Sequence, residues 1–476
     1  RIRCTFRPTQ NYGTGPCDLH TSSNHISFSD GEHNWRLTTD ASPTYIVSGE
    51  WFAASRPITF ILGPDEELQG DMTHTANNLL ERTDDYWQGF TRHLHVPAEW
   101  QQAVIRAAIT LKLCTMEETG AVLAALTTSI PESAGSIRNW DYRYCWLRDS
   151  FFTVQALNRV NITDTTEMYL DFIMNIVADY DGGDIQPLFT IHHGKEIEEY
   201  KAATLSGFLG HQPVRVGNAA YSQIQNDSYG SIILALMQMF LDERLARRAD
   251  QHVFEMLERL GHRAIEVWDK PDAGIWEFRG SKDVRTYSAV TCWMATDRLA
   301  RLAGYLDLPD RAAFWRGHAD DVGQQILDRA WNADQGHFVE TLGGDHLDAS
   351  LLLLHNFGFI ASDDPRYVAT VQAIGRDLMK DDLLFRYRIE DDFGEPDTAF
   401  TICAFWYVEA LDAIGERQEV RRIFESLLSH RNHVGLLSED IDFKTGQLWG
   451  NFPQTYSMVG IIQCAHRLSR KWREIL

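Results

Sequence analysis

The run SIRNWDYRYCWLRDS, residues 136–150, sets Trp140, Tyr142, Tyr144 and Trp146 beside Arg138, Arg143, Arg148, Asp141 and Asp149. Aromatic faces pack on the C–H faces of a pyranose, while arginine and aspartate give charge-assisted hydrogen bonds to hydroxyls that lose water on binding. Such a pocket rejects a sugar lacking one of those hydroxyls, because its own polar groups are then left unpaired. A structural ion-pair network under an aromatic cluster fits the same composition equally well. Hydrolysis of a glycosidic bond needs, in addition, a protonated carboxyl near the leaving oxygen and a second carboxylate on the opposite face. GIWEFRG places Glu277 between Trp276 and Phe278, and apolar walls there would keep a general acid protonated. A loop glutamate paired with Arg279 is the plainer alternative. LLSEDIDFKTG crowds Glu439, Asp440 and Asp442 together, either as a site for a base or as solvated turn acids.

These loops need a scaffold. From about Ala98 onward apolar residues recur at three- and four-residue steps, through AEWQQAVIRAAITLKLC, DSYGSIILALMQMFL, VFEMLERLGHRAIEVW, YSAVTCWMATDRLARLAGYL and on to TYSMVGIIQCAHRLSRKW. The spacing predicts about twelve amphipathic helices. Joined by alternating short and long loops, such helices can close as hairpins, an inner ring wrapped by an outer one, because each apolar face must bury against a neighbour. The long segments 127–147, 181–226, 270–286, 380–397 and 432–454 are rich in Trp, Tyr, Arg, Asp, Glu and Gly, and irregular segments of that length are usually functional. Residues 1–75 read differently. NHISFSDGEHNWRLTTD and TYIVSGEWFAASRPITFILG alternate apolar and polar residues between turn signals, the pattern of antiparallel strands. The expected organisation is a β module over 1–75, a linker helix region over 76–97 and a helical domain over 98–476.

Acidic residues outnumber basic ones, 67 to 44, for a formal charge of −23. That balance, with no Lys/Arg run, excludes phosphate-tracking nucleic-acid binders and disfavours anionic membranes. No apolar stretch is long enough to span a bilayer, and RIRCTFRPTQ lacks the apolar segment of a secretory signal. The seven cysteines are odd in number and scattered, without a C-x-x-C, so a reducing, cytoplasmic setting is expected. The chain begins without Met on strand-like sequence, and a missing upstream segment is expected.

Other constellations are weaker. DYDGGD, 179–184, lacks the acidic spacing and terminal Glu of an EF-hand. His192-His193 has no third ligand at metal spacing. Asp381-Asp382 and Asp391-Asp392 invite the metal–diphosphate chemistry of a cyclase, but no basic clamp accompanies them and helix-capping or surface roles fit better. Cys145 reads as a small buried filler rather than a nucleophile.

NWDYRYCWLRDS resembles the signature of glycoside hydrolase family 15, the glucoamylase family, in its bacterial and archaeal branch, which includes glucoamylases, glucodextranases, isomaltose-releasing enzymes and some trehalases. TGAVLAALTTSIPE, PVRVGNAAYSQIQNDSYG, GIWEFRG, GGDHLDASLLLL, RYRIEDDFGEPDTAF and LLSEDIDFKTGQLWGNFPQTYS resemble further pieces of it, so the resemblance covers nearly the whole chain. It implies a mainly α fold, an (α/α)6 barrel preceded by an antiparallel β-sandwich, here shorter than the family's. It implies Glu277 as general acid and Glu439 as catalytic base of an inverting reaction, which requires a carboxyl separation of about 6.5–9.5 Å. It also implies that Arg148 and Asp149 bind the terminal glucose, with Tyr142, Trp146 and Trp276 lining the pocket and Arg386 on a glucose-contacting loop. Fungal glucoamylases carry a second acidic residue after the general acid. This chain has Phe278 there, which leaves α-1,4, α-1,6 and α,α-1,1 linkages open. The leading expectation is an exo-acting enzyme releasing β-glucose from the non-reducing ends of α-glucans or α-gluco-oligosaccharides. An α,α-trehalase on the same scaffold is the alternative, and a non-catalytic glycan-binding protein the second. No cofactor is expected, although a trehalase would bring phosphate or a divalent ion into consideration. The expected partner is a small saccharide, without nucleic acid or membrane, and a homo-oligomer is left open.

Overall fold

Alternation in HISFS and NWRLTT brings Ile26 opposite Leu37, and Leu37 opposite Leu62, across neighbouring strands of one antiparallel sheet. A computed structural model describes residues 1–280 and 283–475 of the chain. Ser281 and Lys282, inside the expected functional segment 270–286, and Leu476 lie outside the described residues. The chain divides into two units, residues 1–93 with 202–206, and residues 94–201 with 207–476.

In the first unit β1 (Leu19–Thr21), β2 (His25–Ser29), β3 (Asn34–Thr39) and β4 (Phe60–Pro64) form a four-stranded sheet in that order. Ile26, Leu37, Ala41 and Ile46 make its core, the last from the short helix α1 (Pro43–Ser48). Helix α2 (Met72–Arg92) starts where the Asp71 carboxylate accepts the His74 N–H at 2.8 Å, a side-chain cap for an otherwise unpaired donor.

The second unit is helical: α3 (Gln101–Leu113), α4 (Asp149–Arg159), α5 (Thr163–Ala178), α6 (Asp227–Leu236), α7 (Gln251–Val267), α8 (Thr286–Tyr305) and α9 (Pro309–Ala330), then a 3-10 turn Ala349–Leu352 leading into α10 (Leu353–Asn356), α11 (Pro365–Asp377), α12 (Thr401–Ala413), α13 (Arg417–Ser429) and α14 (Thr455–Leu468). Helix α4 packs on α6, α6 on α8, α8 on the Ala349–Leu352 turn, that turn on α12, α12 on α14, and α14 back on α4. The other helices lie against members of this cycle: α5 on α4 and α6, α7 on α6 and α8, α9 on α8, α11 and α13 on α12, α3 on α14. The sequence agrees with these places. Helix α8 is buried on every side from Thr286 to Ala300, whereas α7 and α13 confine their buried residues to one stripe, as a helix covered on one face must.

Helices α6 and α8 touch at a glycine. A Cβ on Gly230 would stand 2.0 Å from the Thr291 carbonyl oxygen, a backbone atom that cannot swing away. Gly230→Ala is therefore expected to cost roughly 2–3 kcal/mol, read as a lowered urea midpoint of tryptophan fluorescence; parental stability would mean the crossing is looser than described. Among the described residues no helix is long and apolar enough to cross a membrane.

Cys17, Cys114, Cys145, Cys292, Cys403 and Cys464 are buried as free thiols, and Cys4 is half-buried. Burial pushes the Cys114 thiol up to about 11 and those of Cys145, Cys292, Cys403 and Cys464 up as well.

Candidate active site

Segments joining the cycle of helices surround a cavity lined by Tyr142, Trp146, Arg148, Asp149, Trp276, Glu277 and Arg386 among others. Each comes from a short, sharply constrained stretch. Arg148 and Asp149 stand at the start of α4, following the Cys145–Trp146 strand that pairs with Leu188–Phe189. Glu277 lies in a turn whose amides close on the Gly274 and Ala273 carbonyls, and its own φ is +60°. A left-handed backbone is unusual for a glutamate and marks a position whose surroundings fix it.

The carboxylate of Glu277 is met by N–H donors. Trp146 Nε1 donates to Oε1 at 2.6 Å, Arg148 Nη2 at 3.1 Å and Gln225 Nε2 at 3.2 Å. The apolar walls expected from Trp276 and Phe278 are absent from this carboxyl. Trp276 turns its indole N–H to Asp348 at 2.5 Å and packs on Phe400, while Phe278 lies under the Arg285 guanidinium and against Tyr387. The alternative pairing with Arg279 does not form either: its guanidinium reaches Glu199 at 3.4 Å, and its amide donates to Asp392 at 2.7 Å.

Arg148 holds the floor together. It donates to Gln225 at 2.7 Å and lies 3.5 Å from Asp227 and 3.9 Å from Asp149. Burial pushes Asp149 up to about 7 against the pull of Arg148, and raises Asp227 for the same reason. One buried guanidinium thus faces Asp149, Asp227 and Glu277, which is why it keeps its proton.

Glu439 is 1% exposed. Its Oε1 accepts the Tyr142 hydroxyl at 2.5 Å, and Tyr142, packed edge-on against Trp146, lines the cavity. Its Oε2 is buried without a hydrogen-bond partner. Burial first, and the charge of Glu132 second, push Glu439 up to about 8. The tight fit has a backbone cause: Gly450, at φ +73°, lies so close that a Cβ there would stand 2.7 Å from the Cβ of Glu439. The neighbouring acids separate cleanly. Asp440 is buried, accepts the Thr398 hydroxyl at 2.9 Å and is raised by burial. Asp442 accepts the amides of Lys444 and Thr445, a turn role that lowers it.

Arg386 is buried and donates to Glu132 Oε2 at 2.8 Å. Glu132 is a residue the sequence reading missed, although it ends the quoted run TGAVLAALTTSIPE; Gln225 and Asp227 likewise stand inside PVRVGNAAYSQIQNDSYG. Asp391 needs correction: it is neither a surface acid nor a helix cap but takes both guanidinium nitrogens of Arg138 and the Tyr387 hydroxyl, whereas Asp392 is exposed, as expected, and accepts the Arg279 amide at the edge of the same cavity. Phe393, next in the chain, packs edge-on against Trp140 at 5.0 Å. His193 stacks on Phe172 and bonds its carbonyl oxygen. Asp184 pairs with Arg263 at 2.6 Å. Among the described residues no group of His, Cys, Asp or Glu is gathered as a metal would need.

A family model described as glycosyl hydrolases family 15 matches residues 99–466. A trehalase of Thermoplasma acidophilum is 31% identical over 98% of this chain and 81% of its own length. A trehalase of Mycobacterium tuberculosis is 36% identical over 84% of this chain, which spans 59% of that relative's length. Among solved structures, a bacterial glucoamylase complexed with acarbose superposes with a TM-score of 0.69 at 15% identity, over 94% of this chain and 73% of that one, a likeness of fold alone.

Proposed function

Since the chain belongs to glycosyl hydrolases family 15 and is thereby a glycoside hydrolase, we propose that it is an α,α-trehalase working by inversion at the mouth of an (α/α)6 barrel, with Glu277 as general acid and Glu439 as general base. The helix-to-helix cycle and the glucoamylase-like fold support the barrel. Trehalase relatives over most of the chain favour this substrate over the α-glucan reading that the motifs first suggested, which becomes the alternative.

The carrying observation is that one cavity brings Glu277 together with Trp146, Arg148, Asp149 and Tyr142, the last bonded to Glu439; the three N–H donors hold Glu277 through Oε1, so Oε2 is the oxygen we assign to the transferred proton. Glu277 protonates the glycosidic oxygen as its bond to the anomeric carbon breaks, and Glu439, oriented by Tyr142, takes a proton from the water attacking the opposite face. The residues facing Glu277, with Asp149 and Tyr142, bind the glucose that is attacked. The second glucose is bounded by Trp140, Arg279 and Phe393, a wall tied down through Arg138–Asp391. Phe278, where a second acid would stand, fits a leaving group already bounded by that wall. The reading keeps a small saccharide as partner, in a cytoplasmic monomer or homo-oligomer.

Trehalose, maltose and isomaltose are assayed side by side for glucose release, with and without phosphate and a divalent cation. Trehalose is expected to be cleaved at least about tenfold more efficiently than either competitor, yielding α- and β-glucose in equal amounts at early times. Preference for maltose or isomaltose would move the assignment to the glucoamylase-like alternative, and early α-glucose alone would reject inversion.

A further inference from the structure

Glu132 closes the TTSIPE turn and lines the same cavity as Glu277 and Arg386 while only 3% exposed. Both its oxygens are engaged: Trp140 Nε1 donates to Oε1 at 3.2 Å, and Arg386 Nη2 to Oε2 at 2.8 Å. Arg138 approaches Oε2 only to 3.9 Å, and its guanidinium is committed to Asp391 and the Gly394 carbonyl. Arg386 is therefore the cation hydrogen-bonded to Glu132, with Arg138 a second charge beside it. Glu439 stands beside this pair: the Gly450 amide donates to the Pro131 carbonyl at 2.8 Å, and Gly450 lies so close to Glu439 that a Cβ there would stand 2.9 Å from its Oε2, so the Arg386 charge acts on Glu132, Glu439 and Asp440 together. Burying an acid beside two others is costly and leaves a strong mutual influence.

We infer that Glu132 is a positioning residue of this site: it anchors Arg386 by a charge-assisted hydrogen bond, and its negative charge strengthens Glu439 as a proton acceptor. The inference deepens the proposed function and rests on Glu439 being its base. The groups facing Glu439 are Glu132 and Arg386, the Tyr142 hydroxyl, Asp440 beside it and the Asn451 backbone. After burial, Glu132 is the largest influence holding a proton on Glu439, and Arg386 and Tyr142 oppose it. A base so tuned accepts a proton more strongly but ionises at higher pH.

The test is the pH profile of kcat/KM. Glu132→Gln keeps the shape and an acceptor for Arg386 but removes the charge. Its acid limb is expected to move toward lower pH by about one unit, with the plateau rate reduced about tenfold. Glu132→Asp keeps the charge and is expected to return the limb to the parental position. A Glu132→Gln limb that coincides with the parent's overturns the proposal, since a merely structural role lowers activity or melting temperature without moving the limb. Should that variant fail to fold, Arg386→Gln, which strips the cation facing both carboxylates, is expected to move the limb toward higher pH; an unmoved limb overturns the proposal equally. Glu439→Gln run in parallel separates the two levels. If it retains parental turnover, the base assignment fails; if it is inactive while the Glu132→Gln limb stays put, only the role of Glu132 fails.

Discussion

Glu277→Gln is expected to lower kcat on trehalose by about a thousandfold or more, with KM changed less than about threefold. The amide keeps an oxygen for Trp146, Arg148 and Gln225, so the sugar still binds. The variant has no proton to give, and the leaving glucose would depart as an alkoxide. A substrate whose leaving group needs no protonation, such as α-glucosyl fluoride, restores the rate to within about tenfold of the parent, because only the acid step was lost. Glu439→Gln is not rescued in this way, since activation of water is required whatever leaves. Equal rescue of both variants, or a Glu277→Gln enzyme that turns over trehalose normally, would remove Glu277 from the acid role.

Glu439→Gln should be as inactive and yet more resistant to heat near pH 8. The Glu439 carboxyl ordinarily ionises near 4.5 and is held up to about 8 by burial and by Glu132. At pH 4 both folded and unfolded chains keep this proton, and the group is neutral to stability. As pH rises above 4.5 the unfolded chain loses the proton while the folded chain retains it, so folding is progressively penalised until about pH 8. An amide cannot ionise and removes that penalty. The melting temperature of the variant should exceed the parent's by a margin that grows from pH 5 to pH 8, where it corresponds to a stability gain on the order of a few kcal/mol, and that vanishes near pH 4. A gap independent of pH would mean that Glu439 is not buried against its charge. Loss of turnover with gain of stability is the usual signature of a group held in place for its chemistry.

The parts of the site legible in the sequence are those encoded in single short runs. Arg148 and Asp149 were marked by the density of charge and aromatic rings around them, and Glu277 and Glu439 by their motifs. Contacts joining distant runs were not legible: Tyr142 to Glu439 spans 297 residues, Arg386 to Glu132 spans 254 and Arg138 to Asp391 spans 253. Sequence proximity also misled. Trp276 and Phe278 flank Glu277 in the chain, but the left-handed backbone at Glu277 sends its carboxyl to Trp146 and Arg148 while the two rings pack elsewhere. At the level of the fold, strong 3.6-residue periodicity marked VFEMLERLGHRAIEVW and YSAVTCWMATDRLARLAGYL, which become α7 and α8. The uninterrupted LLLL of residues 351–354 has no periodicity to read, and it forms the 3-10 turn and the start of the short α10 that complete the cycle.

The thiols have a practical corollary. Buried sulfhydryls held in their protonated form are poor nucleophiles toward alkylating reagents, so a maleimide dye given to the native protein is directed to Cys4. A single fluorophore would then sit in the β unit, remote in sequence from the cavity-lining loops, giving a spectroscopic reporter of that unit obtained without engineering any other cysteine away.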